Sequence, residues 1–198
     1  MQHLPTSQDI QQAALCIKKY AYKTPLLESS LLNSQLGCRL FVKAENLQRT
    51  GSFKFRGAFN KISKIPDNKK KAGIVAYSSG NHAQGVAAVA KLLGIKAQIV
   101  MPIDAPAIKI TNTKSYGAEV ILYDRHKDDR EEVSKELIKK NGSILVPPFD
   151  DAQIIAGQGT VGLEVAMQAK SINVSLDAFF APCGGGGLIS GCALALKS

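Results

Sequence analysis

A chain of 198 residues is long enough for one domain with a hydrophobic core, or for two small ones. Its 45% hydrophobic and 21% charged residues exclude a disordered polymer, and no apolar run approaches the roughly 18 residues of a membrane span. The net charge of +9 sits entirely in the first half, but the basic residues are scattered without a nucleic-acid-binding pattern, which favours small anionic ligands over nucleic acid.

The N-terminal stretch MQHLPTSQDI lacks the charged-then-apolar layout of a secretory signal. Ser7 is placed to cap a helix whose apolar face is Ile10, Ala13, Ala14 and Ile17, ended by Thr24-Pro25. RLFVK (39–43) and GIVAYS (73–78) read as strands, and the run Lys69-Lys70-Lys71 between them as a loop. HAQGVAAVAKLL (82–93) reads as a helix closed by Gly94, followed by strand QIVMP (98–102) and a helix opened by Pro106. Gly117 ends that helix, AEVILYD (118–124) is a strand, DDREEVSKELIKK (128–140) a helix and SILVP (143–147) a strand. Helix 160–170, strand LDAFFAP (176–182) and the start of another helix complete the order. Val- and Ile-rich strands alternating with helices predict an α/β fold with a mainly parallel sheet. A parallel sheet normally returns after a helix such as the last one, so the reading also expects a C-terminally incomplete chain.

Four stretches carry candidate chemistry. In GSFKFRGAFNK, Lys54 stands between two phenylalanines just before a helix; it is either solvated or an amine the fold uses. SSGNHAQG follows a strand directly, with Asn81 at the expected N-cap, so its exposed N–H groups suit a carboxylate or phosphate; plain helix capping is the competing reading. PCGGGGLISG also follows a predicted strand, and four side-chain-free amides before a helix let backbone approach a phosphate from several directions. GQGTVG (157–162) matches a dinucleotide fingerprint with Asp177 at about the right spacing, but PPFDDAQIIA before it is a poor strand and the context fails. No P-loop occurs. His82 has no nucleophile signature beside it and reads first as a structural polar contact. Cys16, Cys38, Cys183 and Cys192 have no CxxC or zinc spacing and are read as free thiols of a reducing, cytoplasmic compartment.

Taken together, SFKFRGA, SSGNHAQGVA and GGGG in that order, with KAENLQRTGSFKFRGA and PPFDDAQIIAGQGTVGLE, resemble the fold-type II pyridoxal-phosphate enzymes. The closest likeness is to their threonine/serine dehydratase and serine racemase branch. The resemblance covers nearly the whole chain and implies a tryptophan synthase β-like architecture: two open, mainly parallel α/β sheets. A small domain at 72–146 would be inserted in a large one formed by 1–71 and 147–198, incomplete at its C-terminus. It implies that Lys54 forms the Schiff base with the cofactor aldehyde, with Phe53 against the ring. Gly184, Gly185, Gly186 and Gly187 would hold the phosphate with Leu188 beside them, and Asn81 would meet the phenolic oxygen. Ser78, Ser79, Gly80, Asn81 and His82 would receive the substrate carboxylate. The implied reaction converts L-threonine or L-serine to 2-oxobutanoate or pyruvate plus ammonia. Ser79, a serine in the racemases, leaves open a serine or hydroxyaspartate racemase/dehydratase, acting as second acid/base opposite Lys54. A non-catalytic remnant or interaction protein is the alternative of another class. No metal ligand falls within the chain; the cation ligands of some members would lie beyond residue 198. A homo-oligomer, dimer or tetramer, is implied for a full-length protein.

Overall fold

The computed structural model describes residues 4–197. Helix α1 (Ser7–Ile17) is capped by Thr6, whose hydroxyl accepts from the Asp9 N–H while the Asp9 carboxylate accepts from the Thr6 N–H. The cap is therefore one residue before the expected Ser7, because Thr6 has an acid three residues on and can close a reciprocal pair. The helix also stops at Ile17, well before Thr24-Pro25. Strand β1 (Leu26–Glu28) and helix α2 (Ser30–Leu36) precede strand β2 (Phe41–Lys43), which pairs antiparallel with β1. The sequence reading contains neither β1 nor α2: three residues are too few to show a period.

After two short 3₁₀ turns, Glu45–Leu47 and Arg49–Gly51, helix α3 (Lys54–Ile62) begins at the lysine itself. Thr50 and Gly51, at φ 61° and 69°, are both left-handed and turn the chain sharply into it. The lysine run expected as a loop falls largely in a one-turn helix, α4 (Asp67–Lys70). Then come β3 (Ile74–Tyr77), α5 (Asn81–Leu93), β4 (Ala97–Pro102), α6 (Ala107–Ser115), β5 (Glu119–Tyr123), α7 (Arg130–Asn141) and β6 (Ile144–Leu145). Gly94 and Gly142, both left-handed, close α5 and α7 as the sequence indicates, while Pro106 occupies the N-cap of α6 rather than its first turn.

The sheet is parallel throughout, in the order β5-β4-β3-β6. All four residues of β3 are buried, because α3 and α5 cover one face with Phe55, Phe59, Val86 and Val89, and α7 covers the other with Val133 and Leu137. The chain runs outward from β3 through β4 to β5, then crosses back to place β6 on the opposite side of β3. This reversal makes a crevice at the carboxyl ends of β3 and β6, the place where open parallel sheets bind ligands.

The rest of the chain is helical. Helix α8 (Ala152–Ser171) packs on α1, α3 and on α9 (Gly187–Leu196). It begins eight residues before the expected position 160, so GQGTVG lies inside a helix and not at a strand–helix junction. Glycines inside a helix cost about 1 kcal/mol each. Here they permit close approach: a Cβ on Gly159 would sit 2.8 Å from the Gly191 carbonyl oxygen, and one on Gly162 2.8 Å from Cys192 Cα. Residues 176–182 form no strand, since among the described residues no strand lies beside them to accept their backbone hydrogen bonds. The second sheet is represented among the described residues by the β1–β2 pair. No helix of the described residues is long and apolar enough to cross a membrane.

Candidate active site

The site is assembled from what leaves the carboxyl ends of β3 and β6. From β3 the chain passes through Ser78, Ser79 and Gly80 into α5. The Ser78 N–H continues the sheet by donating to the Val100 carbonyl, and the Ser78 hydroxyl accepts from the Gly80 N–H at 3.1 Å. Gly80 is the N-cap, correcting the expectation for Asn81, which is the first helical residue. Helices α1, α2, α7 and α8 start on capping side chains (Thr6, Ser29, Asp129 and Asp151), but α5 starts on a glycine with none. Its first-turn N–H groups are thus left for an anion, with the positive end of the helix dipole behind them. Ser79 is exposed at this end, and a Cβ on Gly80 would meet nothing within 4 Å. Asn81 is exposed too, and its Oδ1 accepts from Lys109 Nζ of α6 at 2.8 Å.

His82 faces inward. It is 2% exposed, and its Nε2 bonds the Val146 carbonyl at 2.9 Å, just past β6. A carbonyl only accepts, so Nε2 carries the proton and the buried Nδ1 has no hydrogen-bond partner. Burial above all lowers its pKa to about 4, with the Val146 bond opposing and the Lys54 charge adding to the fall. Neutral at physiological pH, His82 ties α5 to the end of β6.

Lys54 is half-buried, and its Nζ donates to the Pro148 carbonyl. The amine lies 5.4 Å from the centroid of the Phe53 ring. Burial lowers its pKa to about 8. At pH 7 about one such amine in ten is neutral, against roughly one in three thousand for a lysine at the ordinary 10.5. The helix carrying it is held against α5 at Gly85, where a Cβ would come within 3.2 Å of the Lys54 carbonyl carbon.

The tetraglycine run reaches the same place. Gly186, left-handed at φ 82°, is the N-cap of α9, again with no capping side chain, so a second helix N-terminus offers free N–H groups. A Cβ on Gly185 would overlap the Phe149 ring, and one on Gly187 would lie 3.3 Å from Phe149 Cα. Gly184 faces open space. Leu188 is half-buried and, with Phe53, lines one wall of a cavity of about 990 Å³ that lies between β2 and residues 173–182.

The structure therefore brings Lys54, His82 and the glycine loop to one segment, Val146–Phe149, which bonds or packs against each of them. Ser78, Ser79, Gly80 and Asn81 stand at the head of α5, reached through His82. Sequence reasoning missed Pro148 and Phe149, which look like an ordinary Pro-rich connection. It also missed the charges beneath the site: Arg56, two residues after Lys54, is wholly buried between Glu45 and Glu164.

An aldehyde and a phosphate fit these parts. A half-buried amine with access to its neutral form suits the first, and the glycine-led end of α9, with Gly184 open to solvent, suits the second.

Comparison with known proteins agrees. The family described as "Pyridoxal-phosphate dependent enzyme" matches residues 17–198. The chain belongs to this family. It is 49% identical over 195 residues to the L-threo-3-hydroxyaspartate ammonia-lyase of Saccharomyces cerevisiae, covering 98% of this chain and 59% of that one. It is 48% identical over 194 residues to the serine racemase of Schizosaccharomyces pombe, with the same coverages. Among solved structures, the maize serine racemase superposes with a TM-score of 0.93 at 42% identity, over 98% of this chain and 58% of that one. The chain spans about three fifths of the length of the curated relatives it matches. Pyridoxal phosphate is the cofactor of the family, and the α/β architecture with a parallel sheet is the fold of these enzymes.

Proposed function

We propose that this chain carries the cofactor- and carboxylate-binding part of a pyridoxal-phosphate-dependent ammonia-lyase acting on small hydroxy amino acids. L-threonine would give 2-oxobutanoate and ammonia, and L-serine pyruvate and ammonia; one water is lost in elimination and one returned in hydrolysis. The observation that carries this reading is the meeting of Lys54 Nζ and the Gly185–Gly187 turn on adjacent residues, Pro148 and Phe149. When bound, pyridoxal phosphate supplies an aldehyde for an amine and a ring that takes up an electron pair at Cα.

The chain's own residues then have separate tasks. Gly184 to Gly187, with Leu188 beside them, would hold the phosphate by backbone N–H groups, and Phe53 would stand against the ring. The head of α5, with Ser78, Ser79, Gly80, Asn81 and, through its backbone N–H alone, the buried His82, would receive the substrate carboxylate, and Asn81 would turn from Lys109 to the cofactor's phenolic oxygen. Lys54 would take the Cα proton at Nζ, a task for which its lowered pKa suits it. The unit 72–146 forms the small domain and its flanks the large one, so the crevice lies at their junction. A cytoplasmic homo-oligomer acting on free amino acids is part of the same proposal.

Serine racemization is the second reading, favoured by one observation: the exposed Ser79 hydroxyl at the crevice makes no hydrogen bond among the described residues. The two separate in one assay. The chain supplied with pyridoxal phosphate should release 2-oxo acid from L-threonine and L-serine, and Ser79→Ala should retain more than about a third of that rate. If instead D-serine accumulates from L-serine and Ser79→Ala abolishes it, the racemase reading holds. Absence of both products would leave the non-catalytic alternative.

A further inference from the structure

Resting on that reading, we infer that Phe149 is a positioning residue for the cofactor phosphate. It acts through the glycine loop, and the Val146–Phe149 segment spaces the amine from the phosphate cradle. Three contacts meet on four consecutive residues. His82 Nε2 bonds the Val146 carbonyl at 2.9 Å, Lys54 Nζ donates to the Pro148 carbonyl, and Phe149 fills the space that a side chain at Gly185 would need. The far end is fixed as well: the Asp151 N–H donates to the Phe149 carbonyl at 2.7 Å, and the Asp151 carboxylate caps α8 and pairs with Lys61 at 2.7 Å.

The consequence is geometric. Lys54 Nζ bonds the Pro148 carbonyl, while Gly187 lies against Phe149 Cα and Gly185 against its ring, so the backbone part of the path between the contacts is one peptide unit. This short backbone link, with the Phe149 ring, sets the spacing between the amine and the phosphate cradle more directly than the packing of α3 and α9 on α8 between them. Two prolines before Phe149 restrict the backbone further. Glycine at 185 has the same cause as the ring at 149: the two occupy one space, and the ring is the wall against which a side-chain-free loop holds its shape. Without that wall the loop regains the backbone freedom that glycines have in full measure, and its N–H groups lose their common aim.

The test separates phosphate positioning from general damage by using two ligands on the same protein: pyridoxal phosphate, and pyridoxal, which has the aldehyde but no phosphate. Affinity is read from the absorbance of the lysine-bound ligand, with thermal stability recorded in parallel. Phe149→Ala should weaken pyridoxal phosphate by about tenfold and leave pyridoxal within about twofold, and Phe149→Leu should restore most of the loss. The phosphorus resonance of the bound phosphate should broaden in Phe149→Ala alone. Unchanged affinity for pyridoxal phosphate in Phe149→Ala, or equal losses for both ligands, overturns the inference. If the unsubstituted chain itself binds the two ligands equally well, the phosphate cradle falls first, and the role of Phe149 with it.

Discussion

Arg56→Ala should lose about 3–5 kcal/mol of stability, enough to leave a chain of ordinary stability at the edge of unfolding. The side chain is 0% exposed, and all three of its guanidinium nitrogens are engaged. Nε and Nη2 fork onto Glu45 at 2.8 and 2.7 Å, while Nη1 and Nη2 fork onto Glu164 at 2.7 and 3.0 Å. Thr160 Oγ1 and the Tyr22 carbonyl take the remaining directions. Lys43 is the fourth charge and balances the second carboxylate, donating to Glu164, Gln168 and the Thr24 carbonyl. Truncation leaves two largely buried carboxylates facing a cavity, with a lysine paired to Glu164 alone. Most of the loss is this uncompensated charge, not the worth of the pairs themselves. Arg56→Lys should rescue little, because one ammonium cannot fork onto two carboxylates. Arg56→Met combined with Glu45→Gln, which leaves Glu164 to pair with Lys43, should recover at least about half of the deficit in a denaturant titration. A loss under about 1 kcal/mol for Arg56→Ala would show that the cluster is solvated in solution.

Gly157→Ala should cost about 2–4 kcal/mol, although alanine is the better helix former. A Cβ there would lie 2.5 Å from Gly57 Cα and 2.8 Å from the Arg56 carbonyl oxygen, both backbone atoms of α3. No side-chain rotation relieves this, so α3 and α8 must move apart and loosen the Arg56–Glu164 contact with them. The position bears on function because α3 begins at Lys54. Met167→Ala, exposed on the same α8 helix, should stay within about 0.5 kcal/mol and serves as the comparison. Gly157→Ala within that same range would mean that the two helices do not approach so closely.

Much of this fold is written locally in the chain. Strands β3, β4 and β5 are apolar runs bounded by turn residues, and α5 and α7 end on glycines that the structure places in the left-handed region. The amine and the glycine loop were legible because four glycines in a row and a lysine between phenylalanines are unusual enough to require a cause. Other features depend on partners far along the chain. The start of α8 was hidden because its glycines serve packing on α3 and α9, and a local reading sees only their cost. LDAFFAP has the composition of a strand, but a strand exists only beside another. Arg56 reads as surface charge until Glu45 and Glu164, 11 and 108 residues away, are seen to close over it. Phe149 follows two prolines and looks like a loop residue; only the missing Cβ at Gly185 shows what it supports.

In the proposed function Lys54 is an amine set for an aldehyde whose phosphate lies on the glycine loop. The most direct test is reductive trapping: the chain is incubated with pyridoxal phosphate, reduced with borohydride and mapped by peptide mass at pH values from about 6 to about 10. Label should fall on Lys54, half-maximal near pH 8 because the neutral amine reacts and its fraction rises through that value, and should be lost in Lys54→Ala. Label spread over exposed lysines, still rising at pH 10 and unchanged in Lys54→Ala, would contradict it.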